Sequence, residues 1–513
     1  MKLAMVNSLG LFLLLTTCIN IQDQGDAMIT YDILIQGGTI IDGSGSPGIA
    51  ADLLIQDSKI VQMGNLDIHT LKVKTVIDAT GKVVTPGFID SHAHGNPTKT
   101  PMFRNFSGMG VTTIVLGQDG ESADDIAAWM TRVEEAHPAI NIATLVGHGT
   151  VRNLSGVKLN PDPSPEDLQR MAALVAEAME LGCFGLSTGL EYQPGSFSKL
   201  SELEAIATPV GQQGGLVHSH TRNEDNDAIE QSIAELIAQG KAGGCPVNIS
   251  HLKVVYGHGA ARAEDILLQM ETARNGGVFV TADIYPYLAS FTGIGIIFPD
   301  WAKPPYNYAE VVQSSRTELA TYLRERVNLR NGPEATLIGT EPWAGKNLAE
   351  LAVELDKPFE DVLIDDIGPK GASAAYFVMD QALQDRLFID PYVMVCSDGS
   401  PTMRHPRGFG SFAKVIRYYV RENNLLSLEE AIYKMTGLPA SSLGLVQQKR
   451  GLLQEGFAAD ILIFDPEAVV DKATFENPHQ IAEGFDWVIV NGIPIRANGD
   501  FTEARGGKVL KKI

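Results

Sequence analysis

Cysteine is scarce in this chain: four residues in 513, at Cys18, Cys183, Cys245 and Cys396. The last three are odd in number, widely spaced and set in apolar surroundings such as Gly182-Cys183-Phe184 and Val395-Cys396-Ser397. That excludes a disulfide framework and reads as small buried hydrophobes. Positive charge is also short, with 40 Lys and Arg against 62 Asp and Glu and a net charge of −22. A surface of that sign repels phosphate backbones and anionic lipid, so nucleic acid is not an expected partner. No apolar run reaches the ~20 residues that cross a bilayer, so no transmembrane span is expected. No repeat of fixed period and no low-complexity tract is present, which excludes a solenoid. What remains is the composition of an ordinary globular protein, long enough for one large domain and a smaller one.

The first 20 residues differ from the rest. Lys2 precedes an apolar run from Leu9 to Leu15, which ends in Thr16, Thr17 and Cys18. This is the layout of a secretory signal. Leu15-Thr16-Thr17-Cys18 also has the form of a bacterial lipobox, with Thr17 in place of the usual Gly, Ala or Ser and Cys18 as the lipid-carrying residue. The expectation is an exported protein, periplasmic or tethered to a membrane through Cys18. A true start at Met28 would make it cytoplasmic instead.

Residues 29–85 hold short β-rich runs separated by turn residues. Tyr31 to Ile35 is followed by Gly37-Gly38, and Thr39 to Ile41 by Asp42-Gly43-Ser44-Gly45. Residues 451–513 repeat the style, with Asp460 to Phe464 before Asp465-Pro466 and Trp487 to Val490 before Asn491-Gly492. The two ends are expected to pair into one small β-sandwich. Between them, residues 86–450 alternate apolar runs with helical patterns. The runs are Val83–Ile89, Val111–Leu116, Ile140–Val146, Cys183–Ser187, Gly215–Val217, Val247–Ile249, Val278–Ala282 and Val393–Cys396. Ser164-Pro165-Glu166 and Ser427-Leu428-Glu429-Glu430 are helix starts. Apolar runs without alternation fit strands buried on both faces. Eight such units predict an α/β fold, a (β/α)8 TIM-like barrel, with a doubly wound open sheet as the runner-up. The stretch from about 288 to 390 is far longer than a crossover needs and reads as an inserted lid.

Histidines and one aspartate follow these runs. His92 and His94 follow the first, His148 the third, His220 the fifth, His251 the sixth and Asp398 the eighth. A lone His-X-His pair means little. Five of the 11 histidines fall at the C-terminal ends of expected barrel strands, however, and that is where barrel active sites are built. His92 and His94 stand two apart, so on an extended backbone both imidazoles face one way. Imidazole and carboxylate are the usual zinc ligands, which makes a metal centre the leading expectation.

The sequence resembles the N-acyl-D-amino-acid deacylases (D-aminoacylases) of the amidohydrolase superfamily from about Tyr31 to Phe501. The resemblance is carried by Pro86-Gly87-Phe88-Ile89-Asp90-Ser91-His92-Ala93-His94, Gly147-His148-Gly149-Thr150-Val151-Arg152, Gly185-Leu186-Ser187-Thr188-Gly189-Leu190, Ile249-Ser250-His251-Leu252-Lys253, Ser397-Asp398-Gly399 with His405-Pro406-Arg407, and Lys434-Met435-Thr436-Gly437-Leu438-Pro439-Ala440. It implies a zinc enzyme with one or two divalent cations that cleaves a linear amide in a small N-acyl amino acid. It implies that His92, His94, His220 and His251 are metal ligands, and that Asp398 is both ligand and general base. His148 then stands near the scissile carbonyl, and Lys253, Tyr192, Tyr285 and Arg407 meet the substrate, with Lys253 first for its carboxylate.

Two departures from the family pattern concern the metal. The family's Asn-Cys-Gly after strand two, whose cysteine helps bind metal, is Gln118-Asp119-Gly120 here. The carboxylated lysine that bridges two metals in many relatives has no counterpart, since the matching segment is Gly189-Leu190-Glu191-Tyr192. Glu191 and Asp119 are both candidates for the bridging ligand, with Glu191 preferred. Asp119 could equally be a loop residue that binds backbone amides. Two other readings stay open: another amidase of the superfamily, such as a hydantoinase, dihydroorotase or D-dipeptidase-like enzyme, and a non-catalytic metal-binding surface protein.

Overall fold

A computed structural model of the chain describes residues 30–513; the leader and Cys18 lie outside the described residues. Eight parallel strands make the barrel: Phe88–Asp90, Val111–Leu116, Asn141–Thr144 with its continuation Val146–Gly147, Gly185–Gly189, Leu216–His220, Val247–Ile249, Val280–Ile284 and Val393–Val395. Each pairs with the next in that order. The ring closes where Ala93 bridges Gly399, with the Asp398 N–H donating to the His92 carbonyl at 2.8 Å. Every strand residue is buried, which is why the apolar runs show no alternation.

Several strands sit later in the chain than their apolar runs. Cys183–Ser187 becomes Gly185–Gly189, Gly215–Val217 becomes Leu216–His220, and Val278–Ala282 becomes Val280–Ile284. The cause is common to all three. Polar residues such as Thr188, His218, His220 and Asp283 end the hydrophobic pattern while the ladder of backbone hydrogen bonds continues. The first run, Val83–Ile89, divides in two: Val83–Pro86 belongs to the sheet of the termini and Phe88–Asp90 to the barrel. Gly87 is the joint, where a β-carbon would collide with the Thr112 side chain.

Helices cover the outside. Ser164 caps Pro165–Glu180 in a reciprocal box with Asp167, and Ser427 caps Leu428–Met435 with Glu430. Met171, Val175, Ala178 and Met179 recur at helical spacing and bury one face of Pro165–Glu180 in the main core.

Strands from both chain ends form one nine-stranded sheet. Val83–Pro86 pairs in parallel with Thr30–Ile40 on one side and antiparallel with Ile461–Phe464 on the other. Its own core includes Ile33, Leu53, Ile55, Ile461, Ile463 and Ile489. After the seventh barrel strand the chain leaves the barrel. Ala289–Gly293, Thr336–Ile338 and Ser373–Phe377 make a small antiparallel sheet beside the helix Tyr308–Leu329. Leu319, Leu323, Val327, Leu348 and Leu363 give this insertion a separate core. Phe291, Ile296 and Arg330 of the insertion line a cavity over the barrel's C-terminal mouth.

Candidate metal centre

At the mouth, side chains from distant segments converge. His92 Nε2 lies 3.3 Å and His94 Nε2 3.4 Å from the Asp119 carboxylate. Asp398 Oδ1 lies 3.2 Å from His94 Nε2 and 3.8 Å from His92 Nε2. On the other flank, His220 Nδ1 and His251 Nε2 are 2.8 Å apart, and they stand 3.9 Å and 3.6 Å from Asp119 Oδ1. Asp119 is therefore common to two half-sites, His92–His94–Asp398 and His220–His251.

The loop holding Asp119 is anchored on both sides. The Gln118 side-chain amide donates to the Ser91 carbonyl at 2.8 Å, and the Gly120 N–H donates to Ser187 Oγ at 3.1 Å. Gly189 leaves room for the loop, because a β-carbon there would strike the Asp119 carbonyl oxygen. The carboxylate is thus directed at imidazoles rather than at loop amides.

Three observations fit this cluster to a divalent cation. Both ring nitrogens of His92 and Oδ1 of Asp119 are buried with no hydrogen-bond partner. The donors are imidazole nitrogens and carboxylate oxygens at mutual distances that one or two ions can bridge. Asp119, His251 and Asp398 hold left-handed backbone, at φ 56°, 36° and 46°. Such conformations cost about 1–3 kcal/mol each and gather at functional sites.

The surrounding charges are ordered. Burial pushes the Asp398 carboxyl up, but the Arg407 guanidinium and His94 outweigh it and hold it well below the usual carboxylate range. Arg407 Nη1 lies 2.8 Å from Asp398 Oδ2. Lys253 Nζ lies 2.6 Å from Glu224 Oε1 and 2.8 Å from His251 Nδ1. Burial disfavours its charge, yet Glu224 raises its pKa well above the ordinary lysine value. Lys253 and Arg407 stand over the Tyr285 ring at 5.9 and 4.7 Å. The Tyr285 hydroxyl and Arg407 Nε are buried without partners, and burial pushes the Tyr285 phenol up to about 12, so it is a donor at neutral pH. The Tyr192 ring lies 4.5 Å from the His220 ring, tilted by 47°, and its hydroxyl bonds Thr292 of the insertion at 3.0 Å. All these groups line one cavity of about 580 Å³, the size of a small-molecule site.

Two sequence expectations need correction. His148 does not line the cavity. The third strand ends at Gly147 and His148 starts a helix, His148–Ser155, so it is fully buried behind the wall. Its Nε2 lies 2.6 Å from Glu202, which also takes two hydrogen bonds from Arg152 Nη1 at 2.7 and 2.6 Å. Burial lowers the His148 pKa despite Glu202. Nor does Glu191 occupy the shared position. It meets His220 at Nε2, 3.0 Å away and on the opposite side of the ring from His251 and Asp119. It lies instead in a third group with His220 and Glu224.

The sequence reading also passed over Glu224, Asp283 and His218. Asp283 accepts the His251 N–H at 2.7 Å and the Asn248 amide at 2.5 Å, and it lies 3.9 Å from His92 Nδ1. His218 is buried beside it, and burial lowers its pKa to about 4, which keeps the ring neutral. A charged residue inside an apolar strand, as in Val280–Ile284, was the available signal for Asp283.

The chain is 33% identical over 507 residues to an N-acyl-D-glutamate deacylase of Alcaligenes xylosoxydans xylosoxydans, covering 94% of this chain and 96% of that protein. It is 32% identical over 510 residues to a D-aminoacylase of the same organism, covering 94% and 98%. The crystal structure of an N-acyl-D-glutamate deacylase from Bordetella bronchiseptica, complexed with zinc and a phosphonate inhibitor, matches with a TM-score of 0.79 at 33% identity over 94% of this chain and all of that one. The model of the amidohydrolase family matches residues 75–326 and 392–495, and this chain belongs to that family.

Proposed function

We propose that this protein hydrolyses the amide bond of N-acyl-D-amino acids, releasing a carboxylic acid and a D-amino acid, with zinc at a centre for one or two divalent cations. The observation that carries this reading is the open cluster at the barrel mouth, with unpartnered His92 and Asp119 atoms beside groups suited to a carboxylate. His92, His94, His220, His251, Asp119 and Asp398 would hold the cation, with Asp119 between the two half-sites and Glu191 at the outer nitrogen of His220. When bound, a divalent cation supplies Lewis acidity that activates water and polarises an amide carbonyl.

The chain's own residues supply the rest. Asp398 accepts a proton from the attacking water at Oδ1 and passes it to the leaving nitrogen. Arg407, bonded to Oδ2, keeps Asp398 ionised for that task. Arg407, the Tyr285 hydroxyl and the remaining hydrogen of Lys253 bind the substrate α-carboxylate around the Tyr285 ring. The insertion roofs the cavity and limits water around the reacting groups.

Turnover of N-acetyl-D-methionine and N-acetyl-L-methionine, with zinc supplied and then chelated, tests this. We expect selective cleavage of the D form that chelation abolishes and zinc restores. Cleavage of hydantoins or dihydroorotate instead would favour the cyclic-amide reading, and zinc binding without turnover of any amide would favour a non-catalytic protein. We also propose that the chain is exported and anchored by lipid at Cys18. Cys18→Ala should then move the protein from the membrane fraction to the soluble one, and an unchanged distribution would discard the anchor.

A further inference from the structure

The cations around the cavity are not equally committed. Lys253 is paired with Glu224 and Arg407 with Asp398. Arg330, at the end of the insertion's helix Tyr308–Leu329, also lines the cavity, and among the described residues no carboxylate lies within ion-pair distance of it. Asp225, nearby on the same wall, is taken by Arg326 at 3.1 Å. Arg330 is only 3% exposed. Among the described residues its side chain makes one hydrogen bond, a long one of 3.4 Å from Nη1 to the Tyr256 hydroxyl, and Nε has no partner. The guanidinium lies 4.8 Å over the Tyr376 ring and 6.0 Å from that of Tyr256, and the Tyr376 hydroxyl is likewise buried and unpartnered.

A desolvated guanidinium without a counter-ion is costly, and a planar fork steadied on aromatic rings is suited to a carboxylate. The construction repeats that of Arg407 over Tyr285, where the guanidinium lies 4.7 Å from the ring and both residues carry an unpartnered polar atom. We propose that Arg330 receives a second carboxylate of the substrate, so that the protein prefers dianionic N-acyl amino acids to neutral isosteres. This rests on the deacylase reading above. The second carboxylate belongs either to the amino-acid side chain or to the acyl group.

The test compares kcat/KM in two arms. One arm pairs N-acetyl-D-glutamate with N-acetyl-D-glutamine; the other pairs N-succinyl-D-methionine with N-acetyl-D-methionine. In one arm the zinc-loaded protein should favour the diacid by about tenfold or more. Arg330→Met should erase that ratio, while Arg330→Lys, which keeps charge without the fork, should retain part of it. The arm that responds identifies the source of the carboxylate. Ratios near one in both arms, or ratios equal in wild type and Arg330→Met, would overturn the proposal. Should Arg330→Met fail to fold, the intermediate ratio of Arg330→Lys decides. Calorimetric binding of D-glutamate against D-glutamine, and of succinate against acetate, gives a readout free of turnover. An Arg330-dependent ratio there, in a protein that cleaves no N-acyl-D-amino acid, would support the anion site and overturn the deacylase reading. Binding without such a ratio would overturn the Arg330 proposal alone.

Discussion

Two clusters of histidine and carboxylate occupy this barrel, and they are built in opposite ways. In one, His148, Glu202 and Arg152 are buried together and Glu202 bonds both of its neighbours, leaving only His148 Nδ1 without a partner. In the other, both nitrogens of His92 and an oxygen of Asp119 are unclaimed. The first cluster is complete as folded, with a cation already supplied by Arg152. The second turns imidazole nitrogens and carboxylate oxygens toward one another, a donor set that suits a divalent cation. An imidazole that follows a barrel strand is therefore a ligand or a structural group according to what its nitrogens meet.

This contrast can be broken experimentally. Asp398→Asn should lower kcat by ~10²–10⁴ while the metal stays bound, as measured by turnover and atomic absorption on the same sample. Full activity in the metal-loaded variant would remove Asp398 from proton transfer. In the closed cluster, Glu202→Ala leaves Arg152 buried without its counter-ion and His148 Nε2 without its partner, and should cost about 3–5 kcal/mol of stability in denaturant unfolding, with zinc content intact. Loss of zinc without loss of stability would reverse the roles assigned to the two clusters. Asp119→Ala should lower zinc affinity by roughly 10²-fold or more, and tight binding in that variant would disqualify it as the shared ligand.

The next effect is one of pH. Burial favours neutral imidazoles, but Asp119 and Asp398 raise His94 to about 10, and Asp119 and Glu224 raise His251 to about 9 against burial and Lys253. Both rings are thus protonated near neutrality when no cation is present, and both must be neutral to bind one. Zinc uptake should release up to two protons, and affinity should fall roughly tenfold per displaced proton for each pH unit of acidification. Calorimetry in buffers of different ionisation enthalpy counts those protons; none released would contradict the assignment. The smallest effect is expected at Lys253. Its ammonium already pairs with Glu224, so Lys253→Met should raise KM for N-acetyl-D-methionine only about fivefold, near 1 kcal/mol, and an unchanged KM would take it out of the carboxylate site.

The barrel was legible because strands buried on both faces leave long apolar runs, and the convergence of His92, His94, His220, His251 and Asp398 because they stand where those runs stop. Strand ends were less legible for the same reason. His218 and His220 lie within the fifth strand, although the apolar pattern stops after Val217. His148 was misread because nothing in Gly147-His148-Gly149 announces that a helix starts there. Glu202 and Arg330 could not be placed from the sequence. Each lies on a helix, and the partners that give it meaning come from segments brought close only by folding. Which side of the His220 ring the Glu191 and Asp119 carboxylates each reach is a fact that no spacing encodes.

The sheet shared by the two chain ends has a consequence for synthesis. Val83–Pro86 finds its second neighbour only in Ile461–Phe464, after the whole barrel and its insertion have been made. A nascent chain on the ribosome therefore carries an exposed, β-rich edge until its final segment emerges. Shielding that edge, by chaperones or by rapid completion of translation, becomes a requirement for a good yield of this protein.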